Sequence, residues 1–230
     1  MTDCQRDRTF YLENIFLRVE DTLYKVPKAH LENGSELFRQ MFTLPVSEGC
    51  AADGTSDGTP LYLEGVAKTD FAAFLKAMFP RYALTSLEED LFLAVDEWVA
   101  VLKLSEMWGF TDLRKVAIKR LSNMRLDPVF KVSLAMTYHI PRWFIPGLVG
   151  IARRESSLEP KEAELLGWDC ALKIAEVRGS FPPAARCGCR CNVGHLILHR
   201  PLCPHHAVER FRHDFMPKIL AVFGPVSAYV

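Results

Sequence analysis

The chain has 230 residues, of which 49% are hydrophobic and 24% charged, a balance typical of a folded globular protein. Lysine plus arginine and aspartate plus glutamate each number 28, so no net charge attracts the chain to nucleic acid, and we expect no direct nucleic-acid partner. The chain lacks a long apolar run and starts with a polar segment, which predicts neither a membrane span nor a secretory signal.

The first predicted element is a β-hairpin. Apolar and polar residues alternate from Ile15 to Val19, an acidic turn follows, and a second extended segment ends at Val26. Pro27 then opens a helical region. Ser35 is well placed to cap a helix there, whose predicted buried face carries four apolar residues: Leu37, Phe38, Met41 and Phe42.

A surface loop over residues 47–60 precedes a short strand over 61–63. Thr69 is the predicted cap of the next helix, which ends at Pro80. A capping box at Ser86 predicts a long helix that continues to Gly109.

Thr111 is the predicted cap of the next helix, and further helices are predicted to begin at Asp127-Pro128 and to cover residues 143–151 and 161–177. Small, polar and proline-bearing sequence after Gly179 predicts a boundary near residue 180, followed by a weak helix within 208–223. A hairpin followed by helices, one short strand and more helices predicts an α+β fold.

Residues 15–122 resemble a BTB/POZ domain in the order of many short matches. The matching positions are Phe16-Leu17-Arg18-Val19, Leu23-Tyr24-Lys25-Val26-Pro27-Lys28, Leu31, Ser35, Phe38, Met41-Phe42, Leu61-Tyr62-Leu63, Phe71, Leu75, Phe79-Pro80, Leu102-Lys103-Leu104 and Leu113 to Leu121. The family usually has His where this chain has Pro27, so the polar contact of that His is not expected here.

The following residues, to about Val177, resemble the C-terminal helices of a fungal BTB subfamily. The recurring positions are Trp98, Leu102-Lys103-Leu104-Ser105, Met107-Trp108, Phe110, Asp127-Pro128 and Ala171-Leu172-Lys173-Ile174-Ala175. The resemblance implies a BTB domain over 10–122, with a small sheet flanked by antiparallel helical hairpins. A helical extension over 123–178 and a Cys/His-rich tail over 179–230 complete the expected organisation.

The resemblance implies protein–protein interaction, with homodimerisation through the N-terminal strand and first helix. Many BTB proteins also recruit a cullin scaffold through an apolar-x-Glu triplet, and Val46-Ser47-Glu48 lies at that register after Met41-Phe42. The expected partner-binding residues are therefore Val46, Glu48, Met41 and Phe42. The alternative is that Val46 merely covers the domain edge and Glu48 is solvated.

Nine cysteine and histidine residues lie within residues 187–213 of the tail. They are Cys187, Cys189, Cys191, His195, His199, Cys203, His205, His206 and His213. Such side chains could hold zinc, but Cys-x-Cys-x-Cys is not the spacing of a known zinc finger, and a thiol-rich tail or polar filling residues would explain them equally. We predict no metal or cofactor. The alternative function is a BTB-containing transcriptional or chromatin regulator with a zinc-stabilised tail.

The sequence contains no phosphate-binding loop, dinucleotide fingerprint, zinc-protease motif or nucleophile elbow, so we expect no enzyme and no catalytic residue. Cys170 could pair with His139 as a nucleophile, but Leu166, Trp168 and Leu172 around it predict a buried structural thiol. The seven cysteines are odd in number, and Cys4, Cys50 and Cys170 are widely scattered, which predicts a reducing compartment, the cytoplasm or the nucleus.

Overall fold

A computed structural model describes residues 5–8, 11–43, 53–80, 92–180 and 212–230 of the chain. The chain divides into two compact units, Met1–Arg125 and Leu126–Val230. The architecture is α+β, with a small sheet in the first unit and helices in both. Within the described ranges, each helix is too short or too polar to cross a membrane.

The described elements of the first unit are, in chain order, β1 (Asn14–Val19), β2 (Thr22–Pro27), α1 (Lys28–Gly34), α2 (Glu36–Thr43), β3 (Leu61–Tyr62), α3 (Lys68–Met78), α4 (Val95–Trp108) and α5 (Thr111–Ser122). Those of the second unit are α6 (Pro128–Thr137), α7 (Pro141–Arg153), α8 (Pro160–Leu166), α9 (Trp168–Gly179), α10 (Met216–Phe223) and a 3-10 turn at Val226–Ala228.

The sheet has the order β2-β1-β3, so β1 is its central strand. β1 and β2 form an antiparallel hairpin, while β3 runs parallel to β1. The turn has two residues, and the first of them, Glu20, has a left-handed φ of 52°. Ile15, Leu17 and Val19 are buried as the alternation predicts, which confirms the predicted hairpin and its inward face.

The core of the first unit lies between the inner face of the sheet and helices α1 to α5. An aromatic cluster occupies its centre, and its rings meet mostly edge to face, at centroid separations of 5.1 to 6.3 Å: Phe38, Phe71, Phe74, Trp108 and Phe110. Such pairs add to the stability that burial of apolar surface provides. This cluster joins α2 and α3 to the end of α4, so the helices around the sheet share one core.

The second unit packs its C-terminal segment against its own earlier helices. α10 contacts both α7 and α9. The ring of Tyr229 stacks on Phe144 at 5.3 Å and meets Phe223 at 5.4 Å. The last described residues therefore form part of the core of this unit.

Two charged interactions fix the connections of the second unit. The guanidinium of Arg154 donates two hydrogen bonds of 2.6 Å to the Glu162 carboxylate, which also accepts from the Glu159 main-chain N–H and caps α8. The guanidinium of Arg178, in α9, donates to the carbonyl oxygens of Ile151, Glu155 and Ser156, at the end of α7 and in the loop after it.

Several predicted boundaries differ from the structure. α3 begins at Lys68, so Thr69 lies inside its first turn and is not its cap. Thr111 is likewise the first residue of α5 and not its cap, because Phe110 occupies the N-cap position. The capping box predicted at Ser86 lies outside the described residues. Residues 92–94 are not helical, and the helix that ends at Gly109 begins at Val95. There the Glu97 carboxylate accepts a hydrogen bond from the main-chain N–H of Ala94 and caps the helix, although the N-cap residue itself is not serine or threonine.

The remaining differences lie on helices. The segment predicted as one helix over 161–177 is two helices, because Gly167 adopts a left-handed φ of 77° between α8 and α9. Leu37, predicted to be buried, is 52% exposed. Two predictions are confirmed: Asp127 caps α6 through its carboxylate, and Gly109 ends α4 with a φ of 71°.

Candidate interaction surfaces

Two of the predicted partner-binding residues lie on the last turn of α2. Met41 and Phe42 are partly buried and pack against the core of the first unit. The Phe42 ring lies 5.7 Å from Phe38 and has the Lys28 ammonium 5.2 Å from its centre. The other two, Val46 and Glu48, lie outside the described residues. The structure therefore fixes the helix that leads to the predicted triplet, but not the triplet.

α2 is positioned by the buried Ser35 directly before it. The Ser35 hydroxyl donates to the carbonyl oxygen of Trp108 at the end of α4 and accepts the main-chain N–H of Phe38 at 3.2 Å. This confirms the predicted cap and adds a contact that sequence spacing alone could not show. Just before it, Gly34 contacts the Phe110 ring so closely that a Cβ there would lie 2.5 Å from a ring carbon. The start of α2 is thus fixed from both sides by the α4–α5 connection.

A groove runs along the outer edge of β2, beside α3. Its volume is about 660 Å³, and it is lined by Leu12, Asn14, Tyr24, Lys25, Val26, Pro27, Ala72, Leu75, Lys76 and Phe79. The α3 residues recur at intervals of three and four, so they form one stripe of that helix. The sequence patterns that predict the hairpin and α3 do not predict this groove, because the groove depends on which strand edge faces which helix.

A second surface lies on α8 and α9 of the second unit. Leu165, Trp168 and Leu172 are 55%, 64% and 69% exposed, and the latter two line a depression of about 540 Å³. The expectation that Trp168 and Leu172 surround Cys170 is wrong. Residues two apart on a helix differ by about 200° in direction, so these side chains point away from the buried face that carries Cys170 and Ile174.

Cys170 has the properties of a structural thiol. It is 2% exposed, and burial raises the pKa of its thiol to about 11, so it is protonated at neutral pH. His139, its suggested partner in catalysis, is exposed. These observations agree with the predicted structural role of Cys170.

The predicted Cys/His cluster lies outside the described residues, except for His213. The His213 ring lies 4.6 Å from Phe215 in an edge-to-face contact. In the part of the chain that the structure describes, no three His, Cys, Asp or Glu side chains are grouped so that they could hold a metal ion.

Comparison with known proteins identifies no family for this chain. No protein-family model matches it, and no curated protein matches its sequence significantly.

Proposed function

We propose that the chain is a non-enzymatic interaction protein of the BTB/POZ type, which homodimerises and serves as an adaptor or scaffold. The observation that carries this proposal is the end of α2. Met41 and Phe42 stand half-buried on a helix whose start is anchored by Ser35 and whose end leads directly to the Val46–Glu48 triplet. A rigid helix that ends in accessible apolar side chains suits recognition by a partner pocket.

The hairpin, its parallel third strand and the packing of α1 to α5 on one face of the sheet support the resemblance on which the proposal rests. Recruitment of a cullin scaffold is the specific form of the proposal. The apolar side chain of Val46 would fill a pocket on the cullin, and the Glu48 carboxylate would pair with a cation at the rim of that pocket.

The test is calorimetric titration of the full chain with a cullin N-terminal domain. Submicromolar binding that is lost in a Val46→Asp/Glu48→Ala variant would support the proposal. The matched control is Glu64→Ala, which removes an exposed carboxylate just after β3 and should bind as the wild type does. Absence of binding by the folded wild type would overturn cullin recruitment.

Sedimentation equilibrium tests the homodimer separately. A dimer at micromolar concentration would support the scaffold, and a monomer throughout would overturn self-association. Stoichiometric zinc that is lost together with residues 181–230 would instead favour the alternative of a zinc-stabilised regulator.

A further inference from the structure

Among the described residues, the outer edge of β2 has no strand beside it, and two residues of β2 direct their main-chain groups to this edge. Because a two-residue turn joins the hairpin, Thr22, Tyr24 and Val26 exchange main-chain hydrogen bonds with β1. The main-chain groups of Leu23 and Lys25 therefore point away from β1. Among the described residues, no main-chain hydrogen bond occupies this edge.

The hydrogen bonds on the other side of β1 agree with this alternation of main-chain directions. Phe16 and Arg18 lie opposite Lys25 and Leu23, respectively. The Phe16 N–H donates to the Gly54 carbonyl oxygen at 2.9 Å, and the Arg18 carbonyl oxygen accepts from residue 63 at 2.9 Å. Both therefore direct their main-chain groups away from β2. The open edge thus offers two N–H donors and two carbonyl acceptors in the arrangement that an added strand requires.

The groove lies directly beside this edge and is suited to apolar side chains. Val26 lies on the inner face of the sheet and faces Leu75 of α3 and Phe79, the residue directly after α3. Its volume, about 660 Å³, lies within the usual range of ligand pockets. Since successive side chains of a strand point to opposite faces, every second side chain of an added strand would enter the groove.

The charges at the site favour a partner that carries a carboxylate. Lys25 and Lys76 line the groove, and none of its lining residues is acidic. The Lys25 ammonium lies on the outer face of the sheet, 5.0 Å from the centre of the Phe16 ring, and makes no ion pair within the described residues. Lys76 is paired with Glu97 at 2.8 Å, so of the two lysines that line the groove in the described part of the chain, Lys25 is the one available to a partner.

We infer that the β2–α3 groove binds an extended, acidic segment of a partner protein, which adds to the sheet as a strand beside β2. Apolar side chains at alternate positions occupy the groove, and a carboxylate between them lies on the outer face beside Lys25. A lysine on an edge strand opposes pairing with arbitrary strands of other molecules. An added strand that places a carboxylate opposite Lys25 is therefore preferred to a strand with a neutral or basic residue there. The inference does not depend on cullin recruitment, which uses α2 and the triplet after it.

The experiment uses the full chain and two blocked nine-residue peptides. In both peptides valine alternates with threonine, and the central outward position is glutamate in one and lysine in the other. Binding is followed by amide hydrogen exchange resolved by NMR. We expect the saturating glutamate peptide to slow exchange at Leu23 and Lys25 by about tenfold or more. Tyr24 and Val26, already bonded to β1, serve as internal references and should change little.

A charge reversal makes the test specific. The wild type should bind the glutamate peptide about fivefold more tightly than the lysine peptide, and Lys25→Glu should reverse this preference. The matched control is Lys119→Glu, an exposed site on α5, which should retain the wild-type preference.

Three results would overturn the inference. In the first, neither peptide binds the folded protein at millimolar concentration. In the second, both bind equally and Lys25→Glu has no effect. In the third, the Leu23 and Lys25 amides of the free protein are already protected from exchange. Protection that rises with protein concentration would mean that a second copy covers the edge, and protection that does not would mean that another part of the chain covers it.

Discussion

Two buried serines of the first unit should respond in opposite ways to substitution by alanine. Ser35 and Ser105 are each 1% exposed. The Ser35 hydroxyl makes two hydrogen bonds, to the Trp108 carbonyl oxygen and from the Phe38 N–H. The Ser105 hydroxyl, in the last turn of α4, has no hydrogen-bond partner among the described residues. Comparing the two alanine variants therefore separates the effect of the hydrogen bonds on stability from the effect of burying a hydroxyl group.

The expected sizes follow from these contacts. Ser35→Ala removes a helix cap, which costs about 1 kcal/mol. It also leaves a buried carbonyl group without its donor, which costs about 1 to 3 kcal/mol. We therefore expect a loss of about 2 to 4 kcal/mol, equivalent to roughly thirtyfold to nine-hundredfold in the unfolding equilibrium. Ser105→Ala removes an unsatisfied polar group and introduces a better helix former, so it should be neutral or stabilise by about 0.5 kcal/mol.

Hydrogen exchange measured by mass spectrometry on peptides from α2 and α4 is the suitable assay, because it reports on the first unit without contributions from the second. Exchange in α2 and α4 should accelerate in Ser35→Ala and stay the same or slow in Ser105→Ala. If both variants lose stability equally, the hydrogen bonds of Ser35 are not the reason for its burial, and our account of how α2 is positioned is wrong.

Three further predictions concern packing, pH and thiol reactivity. Gly34→Ala places a Cβ against the Phe110 ring and should cost about 1 to 3 kcal/mol in urea unfolding, whereas Gly179→Ala, with open space around it, should not destabilise; equal effects would contradict this packing. The hydrogen bonds from Arg154 lower the pKa of Glu162, so the stabilisation by this ion pair is present above the ordinary glutamate pKa and is lost on acidification. The Glu162→Gln variant should therefore lose less stability than the wild type between pH 6 and about pH 3. Parallel pH profiles of the two proteins would exclude the ion pair as a contributor to stability. Cys170 should resist iodoacetamide at neutral pH until urea unfolds the second unit, as peptide mass spectrometry would show; rapid labelling of folded protein would refute its burial.

Local sequence signals predict those parts of the fold that depend on neighbouring residues. Alternation in the sequence predicts the hairpin, Asp127 before a proline predicts the start of α6, and Gly109 predicts the end of α4. In each case the hydrogen bond or backbone conformation that decides the structure lies within a few residues. Such signals are therefore readable without knowledge of the fold.

The errors arise where the decisive interaction is distant or where an alternative cap is used. The start of α4 depends on Glu97, whose carboxylate caps a helix that has alanine at the N-cap position. The apolar pattern around Cys170 predicts burial on every side, but the packing of the second unit covers only one face of α9 and leaves Trp168 and Leu172 exposed. Periodicity shows that a helix has faces, but it does not show which of them are covered.

The candidate interaction surfaces also include one part that local sequence predicts and one part that it does not. Spacing identifies Met41 and Phe42 at the end of a helix, because that helix is a local feature. The groove beside β2 cannot be predicted from spacing, since it requires knowing that β2 is an edge strand and that α3 lies beside it. Lys25, an ordinary exposed residue in the sequence, gains its proposed role only from that arrangement.

The three carbonyl groups bound by Arg178 have a consequence for the dynamics of the second unit. Because one guanidinium holds the end of α7 and the loop after it, the last turn of α9 cannot fray without releasing Ile151, Glu155 and Ser156. The two helix ends should therefore open as one cooperative block, with similar opening free energies, although they are more than twenty residues apart in the chain. A helix terminus that would ordinarily be among the first parts to open is in this way given the stability of the interior.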